Sequence, residues 1–172
     1  RRFGSGTTGS GAFTVNLANL VAGTTYYVKA YAKNYGGIVY GNEITFTTTA
    51  SPFTIGQSYQ GGKICYIDNS GLHGRIAAPA NQSTAINWWD AVTLCDNLVL
   101  GGYSDWYLPT ENELIQIYQH RVLVGGFTGP VYFFWSSTLY DANSAISINF
   151  ADGLPYIDLK SHYDAVRAIR AF

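Results

Sequence analysis

Charge is scarce in this 172-residue chain: Asp, Glu, Lys and Arg make up 12% of it, and the formal net charge is −1. A near-neutral chain without a basic stripe has no electrostatic footprint for nucleic acid. There are two cysteines, Cys65 and Cys95. Their separation makes neither a zinc ribbon nor a Cys-x-x-Cys redox pair. They form one disulfide of an exported protein or two buried thiols, and the apolar contexts Ile64-Cys65-Tyr66 and Leu94-Cys95 favour thiols. His73, His120 and His162 are scattered, none with a neighbour at metal-ligand spacing. No apolar run approaches the ~20 residues of a membrane helix. A signal peptide is not expected either. Arg1-Arg2-Phe3 leads straight into Gly and Ser, so the chain reads as a mature or excised segment.

What is plentiful is aromatic. Tyr occurs 14 times, and 16% of residues are Phe, Trp or Tyr. Tyr supplies stiff, amphipathic contact area at low entropy cost, which suits binding loops; it also suits ordinary strands.

Two parts are expected. Residues 1–50 are rich in Thr and Gly with short strand patterns: Ala12–Leu17, Thr25–Ala32, and Ile38–Tyr40 continuing into Glu43–Thr47. Thr48-Thr49-Ala50-Ser51-Pro52 reads as a linker. The part from residue 53 to 172 mixes strands and helices. Ile55–Asp68 is strand-like with a break at Gly61-Gly62, and Arg75–Pro79 is a short strand. A helix of about three turns follows, with Thr84 as its expected N-cap, Trp88, Val92 and Cys95 at helical spacing, and Ala91 and Leu98 extending the stripe. Pro109 stops the next segment, and Thr110-Glu111-Asn112-Glu113 is a capping box opening a second helix with Leu114, Ile117 and Tyr118 inward. After Gly125-Gly126 and Gly129-Pro130 the pattern returns to strands. Two helices within strands give an α+β domain.

The last forty residues carry the functional signal. Phe134-Trp135-Ser136-Ser137-Thr138 opens them and Val166–Phe172 closes them, both as rigid framework. Between them, apolar residues alternate with a chemically mixed set. Alternation predicts a strand with Ile146, Ile148 and Phe150 buried and the other face free. The expected ligand-binding residues are Tyr140, Asp141, Asn143, Ser147, Asn149, Asp152, Leu154, Tyr156, Asp158, His162, Tyr163 and Asp164. Ser147, Asn149, Tyr156 and Asp158 are expected on a common outward surface. The loops around Tyr140 and from Ser161 to Ala165 should rim it.

Several blocks carry a family resemblance. Gly101-Gly102-Tyr103-Ser104-Asp105-Trp106-Tyr107-Leu108-Pro109-Thr110 with Glu113-Leu114, then Trp135-Ser136-Ser137-Thr138, then Asn149-Phe150 with Gly153, Lys160, Val166-Arg167 and Arg170, resemble a bacterial C-type-lectin-like domain. Tyr107 stands where that family has Arg, which removes an expected ion pair. Within this group the tail is similar to the variable proteins of diversity-generating retroelements. There, mutagenised adenines in AAY codons yield residues such as Tyr, Asp, Asn, Ser and His, but not Glu, Gln, Met, Trp or Lys. Residues 139–165 contain none of the excluded types except Lys160. A fixed adhesin or pilus-tip module of the same fold is the alternative.

The first part resembles the closing strands of a fibronectin type III or immunoglobulin-like repeat. Leu20–Tyr26 places Tyr26 as in a tyrosine corner. About half of the ~100 residues of such a sandwich are present.

The resemblance implies recognition, not reaction. Asp141, Asp152, Asp158 and Asp164 have no proton donor fixed by sequence, and the related sulfatase-modifying fold needs a redox-active cysteine pair, whereas Cys65 and Cys95 lie outside the expected binding face. The Glu-Pro-Asn, Gln-Pro-Asp and Trp-Asn-Asp calcium motifs of typical C-type lectins do not occur, so binding is expected to be calcium-independent. The reading is thus of an α+β C-type-lectin-like binding domain over 53–172, preceded by a partial all-β immunoglobulin-like unit over 1–50. It needs no cofactor or metal and has no catalytic residues. Its partner is a macromolecule, protein or glycan. It is expected outside the cell, on a bacterial surface or a phage particle.

Overall fold

The computed structural model describes residues 12–127 and 133–172. The turn expected at Gly129-Pro130 lies outside them. Two compact units are present, one reaching to Pro52 and including Asn69–Gly71, the other formed by Phe53–Asp68 and Leu72–Phe172.

In the first unit, β1 (Thr25–Asn34) and β2 (Gly37–Thr47) form an antiparallel hairpin. The ladder runs from Thr25 opposite Thr47 to Asn34 opposite Gly37, with an irregularity between Lys29 and Tyr31. The Asn34 side chain accepts from the Gly36 N–H at 2.8 Å and closes the turn. Tyr26 behaves as its position suggested. Its hydroxyl accepts from the Val21 N–H at 2.7 Å, tying down the preceding turn. Ala12–Leu17, expected as a strand, is irregular, because no described strand pairs with it. Most side chains of the hairpin are exposed.

The second unit is α+β. Its strands and helices follow as β3 (Ser58–Tyr59), β4 (Gly62–Ile67), β5 (Gly74–Ala77), β6 (Ser83–Ile86), α1 (Trp88–Asp96), α2 (Glu111–Gln119) and α3 (Arg121–Val124). Then come β7 (Phe133–Leu139), β8 (Ser144–Asn149), β9 (Pro155–Leu159), β10 (Asp164–Val166) and β11 (Ile169–Ala171). One sheet has the order β6-β10-β7-β8-β9, the other β11-β5-β4-β3. All pairings are antiparallel except β7 with β10.

The N-cap of α1 is Asn87, not Thr84. Asn87 Oδ1 accepts from the Asp90 N–H at 3.1 Å. Thr84 lies in β6, which β10 recruits into the sheet, so the cap falls three residues later than expected, while the helix itself begins at Trp88. The capping box of α2 forms as read: Thr110 Oγ1 accepts from the Glu113 N–H, and Glu113 Oε2 accepts from the Thr110 N–H at 3.0 Å.

Alternation along the sheet feeds two cores. Trp135, Ala145 and Val166 pack with Ile64, Ala91, Cys95 and Trp106 on one side. Phe134, Ile148 and Ala165 pack with Leu114 and Ile117 of α2 on the other. The buried indoles are satisfied: Trp135 donates to the Ile86 carbonyl at 2.8 Å and Trp106 to the Leu100 carbonyl at 3.2 Å. Cys65 and Cys95 are free thiols in different cores, and burial pushes both up to about 12.

Buried arginines fasten the C-terminal strands. Arg167, fully buried, donates to the carbonyls of Ala78, Gly125 and Gly126 and to Asn81 Oδ1, and lies 4.0 Å over the Phe127 ring. Arg170 forks onto Asp105 at 2.7 and 3.0 Å, bonds Gln60 and covers Tyr103. An ion pair forms beside Tyr107. Arg75 Nε meets Glu113 Oε1 at 2.7 Å, and the Tyr107 hydroxyl donates to the same oxygen at 2.8 Å.

Candidate binding face

The tail from Leu139 to Asp164 is built from two hairpin connections and one crossing loop. At the β7–β8 turn, Asp141 Oδ1 accepts from the Asn143 and Ser144 N–H groups at 2.8 and 2.7 Å. Those bonds, the Asn143 one foremost, hold the carboxyl below the usual carboxylate range. The loop is also held from beneath. Lys160, 5% exposed, donates from Nζ to the carbonyls of Asp141 and Ala142 at 3.2 and 2.9 Å. Tyr140, Asp141 and Asn143 project from this loop into solvent.

At the β8–β9 turn, Asn149 Oδ1 accepts from the Ala151 N–H at 2.8 Å, and Asp152 Oδ1 from the Leu154 N–H at 2.9 Å. Gly153 adopts φ 81°, and a Cβ there would run into the Tyr118 ring, so only glycine fits. Asn149 is half-buried; Asp152 and Leu154 are exposed. Tyr156 leans edge-on against Phe133, with ring centres 5.4 Å apart, and its hydroxyl donates to Asp152 Oδ2 at 3.3 Å.

Ladder register settles which residues share a side. Ser147 lies opposite Tyr156, and Ala145 opposite Asp158. Directly opposed residues point the same way. Ser147, Asn149, Tyr156 and Asp158 therefore do share one side, as alternation predicted. Two expected contact residues are not at the surface, however. Ser147 is fully buried, because β8 is an inner strand with Trp135 on one flank and Tyr156 on the other. Asp164 is 8% exposed: the expected Ser161–Ala165 loop ends early, and Asp164 begins β10 opposite Ile86. Of the residues expected beneath the face, Ile148 is buried, while Ile146 and Phe150 are half-buried.

Asp158 is half-buried, and its Oδ1 sits 2.5 Å from His162 Nδ1 while accepting from the Leu159 N–H at 2.8 Å. His162 and Tyr163 are exposed. Asp164 is pushed up to about 6, by burial first and then by the neighbouring Asp158 carboxylate. Ser147 is near enough to pull it back slightly but lies outside hydrogen-bond geometry, so Ser147 Oγ and Asp164 Oδ2 are both buried without a partner.

The alternation argument missed the reverse side of β9. Ile157 and Leu159 are exposed as well, because β9 is an edge strand uncovered on both sides. Pro155 is the edge-strand signal in this stretch. The edge itself is blunted. The Asn149–Leu154 and Asn143–Lys160 bonds set the ladder phase, so Pro155, Ile157 and Leu159 turn their main chain outward. Pro155 has no N–H, and the Leu159 N–H and carbonyl are taken by Asp158 and His162. At most Ile157 is left to pair with an added strand. Contact through this region must use side chains.

No group of three or more His, Cys, Asp or Glu side chains among the described residues could hold a metal ion. No described helix is long and apolar enough to cross a membrane.

The sequence pattern of the Lcl C-terminal domain matches residues 67–170. The chain belongs to that family. The GYSDW-type block, the Trp135–Thr138 strand and the closing Val166–Arg170 segment all fall inside the matched range. A search among curated proteins gives no match.

Proposed function

We propose that the second unit is a recognition domain of C-type-lectin-like fold whose tail, from Tyr140 to Tyr163, is a diversified ligand-binding face. One observation carries this reading. Exposed, chemically mixed side chains are concentrated on two turns and a crossing loop, and buried fixed groups support these turns from below: Lys160 holds the carbonyls of Asp141 and Ala142, and Gly153 fits against the Tyr118 ring. Tyr140, Asn143, Leu154 and Tyr163 are exposed and bond no main-chain group through their side chains, so they can change at little cost to the scaffold, whereas Asp141, Asn149 and Asp152 also brace their turns. Its mechanism is binding of a macromolecule, protein or glycan, with no bond made or broken. No calcium is involved. The first unit serves as an immunoglobulin-like spacer, and the protein works outside the cell, on a bacterial surface or a phage particle.

The neighbouring DNA tests the diversified form of this reading. A near-identical template repeat beside a reverse-transcriptase gene is expected, differing from the coding repeat at adenines, with the differences falling in the codons for the exposed tail residues. A locus without such a repeat would make the face a fixed adhesin surface.

A further inference from the structure

The tail has a charge sign of its own. Between Leu139 and Ala165 it carries four aspartates and a single lysine, whereas the rest of the chain has more Lys and Arg than Asp and Glu. That lysine, Lys160, is buried and committed to main-chain carbonyls, so it presents no positive charge to a partner. The remaining basic group, His162, is already engaged by Asp158.

The acidity is not only a solvated surface. Behind the exposed residues, Asp164, 8% exposed, and Ser147, fully buried, hold oxygens without a partner, and Asp164 is close enough to Asp158 and His162 to feel both. A buried carboxylate without a donor is costly, and a positive charge held at the neighbouring Asp158 would offset part of that cost. Tyrosines are near in the chain, and one shares the side of Asp158. Tyr156 is two residues before Asp158 on the same side of β9, and Tyr163, 68% exposed, immediately precedes Asp164. Carboxylates beside tyrosine faces suit a cation with several N–H donors and poorly suit an anion.

Resting on the reading of the tail as a binding face, we infer that it takes a cationic side chain, a lysine ammonium or arginine guanidinium, displayed on the surface of a protein partner. Asp158 receives the charge, the Asp164 carboxyl buried behind it adds to the attraction, and Tyr156 covers the aliphatic stem.

The test is an NMR titration of the whole chain with three probes: a hexalysine peptide, a hexaglutamate peptide and maltohexaose. Hexalysine is expected to shift the signals of Tyr156, Asp158 and His162, with an affinity that falls at least tenfold as salt rises from low to several hundred millimolar. Asp158→Asn combined with Asp164→Asn should weaken it at least tenfold. Asp96→Asn combined with Glu111→Gln, on the helices, should leave it within twofold. Asp158→Asn alone, expected to weaken binding severalfold, covers the case of a double variant that folds poorly. Equal weakening by the helix pair would mean general charge attraction and overturn the inference. So would hexaglutamate binding at the tail. Maltohexaose shifting the tail signals while hexalysine does not would overturn the cationic partner and keep the binding face. Probes that shift only signals around α1 and α2 would overturn both.

Discussion

Lys160 Nζ lies 4.8 Å from the centre of the Trp88 ring while donating to the carbonyls of Asp141 and Ala142. Trp88 is itself fixed, since its indole N–H donates to the Ser136 carbonyl at 2.8 Å and its main-chain N–H to the Lys160 carbonyl at 3.0 Å. The pair thus ties the start of α1 to the end of β9 and to the turn that displays Tyr140, Asp141 and Asn143. A side chain of one fixed type is needed here, whatever the neighbours become. Lys160→Met keeps the stem and deletes the ammonium. It should cost about 1.5–3 kcal/mol in urea unfolding, the usual worth of charge-assisted hydrogen bonds. Amide exchange at residues 141–144 should quicken. Unchanged exchange there would show that the Asp141 turn holds itself.

Exposed and buried members of the tail should respond to substitution in opposite ways. Tyr140→Ala, His162→Ala and Tyr163→Ala should each change stability by about 0.5 kcal/mol or less. Tyr156→Ala should cost somewhat more, on the order of 1 kcal/mol, for its edge-on contact with Phe133. Ser147→Tyr should cost about 1–3 kcal/mol or prevent folding, because the site is closed between Trp135 and Tyr156. Melting curves of these five variants decide it. A Ser147→Tyr protein as stable as its parent would mean that position 147 opens to the surface.

This contrast marks how far the sequence was legible. Local chemistry read well: the Thr110–Glu113 box, the Tyr26 tie, the arginines of the closing strands and the buried thiols are set by short-range pattern. Alternation placed Ser147, Asn149, Tyr156 and Asp158 on one side correctly. It could not report that β8 is an inner strand and β9 an edge, because that depends on sheet order. Hence Ser147 was taken for exposed, and Ile157 and Leu159 were missed. Asp164 was misplaced for the same reason. A strand of three residues leaves almost no periodic signal, and its pairing with β6 is a contact between distant parts of the chain. Thr84 lost its capping role to that same pairing.

Arg167 offers a measure of the framework itself. It is buried without a carboxylate, and burial lowers it to about 10. Its fork gathers Ala78, Asn81, Gly125 and Gly126, which belong to two separate loops. Arg167→Met would leave these acceptors unpaired and should cost at least about 3 kcal/mol. Arg167→Lys should recover only part of that, since an ammonium cannot span a planar fork of partners. Denaturation midpoints of the two variants give the comparison. Full recovery by Lys would show that charge, not geometry, holds the loops.

Asp164 should leave a signature in the pH dependence of stability. Its carboxyl titrates near 6 in the folded chain, against an ordinary value of 3.8. Between about pH 4 and pH 6 the folded chain therefore keeps a proton that the unfolded chain has released. Stability falls as pH rises through that interval, and the loss persists above it. The interval corresponds to at most about 3 kcal/mol. Asp105, bonded by Arg170, and Asp141, bonded by main-chain N–H groups, are held below the usual range, so their contributions fade only as pH drops below about 4. Asp164→Asn removes the proton site without changing shape. Relative to the parent, this variant should gain stability steadily from pH 4 to pH 6 and then hold the gain to pH 8. Urea midpoints of both proteins at each pH measure the difference directly. A difference that stays flat, or shrinks as pH rises, would show that the Asp164 carboxyl is solvated or already paired in the folded protein.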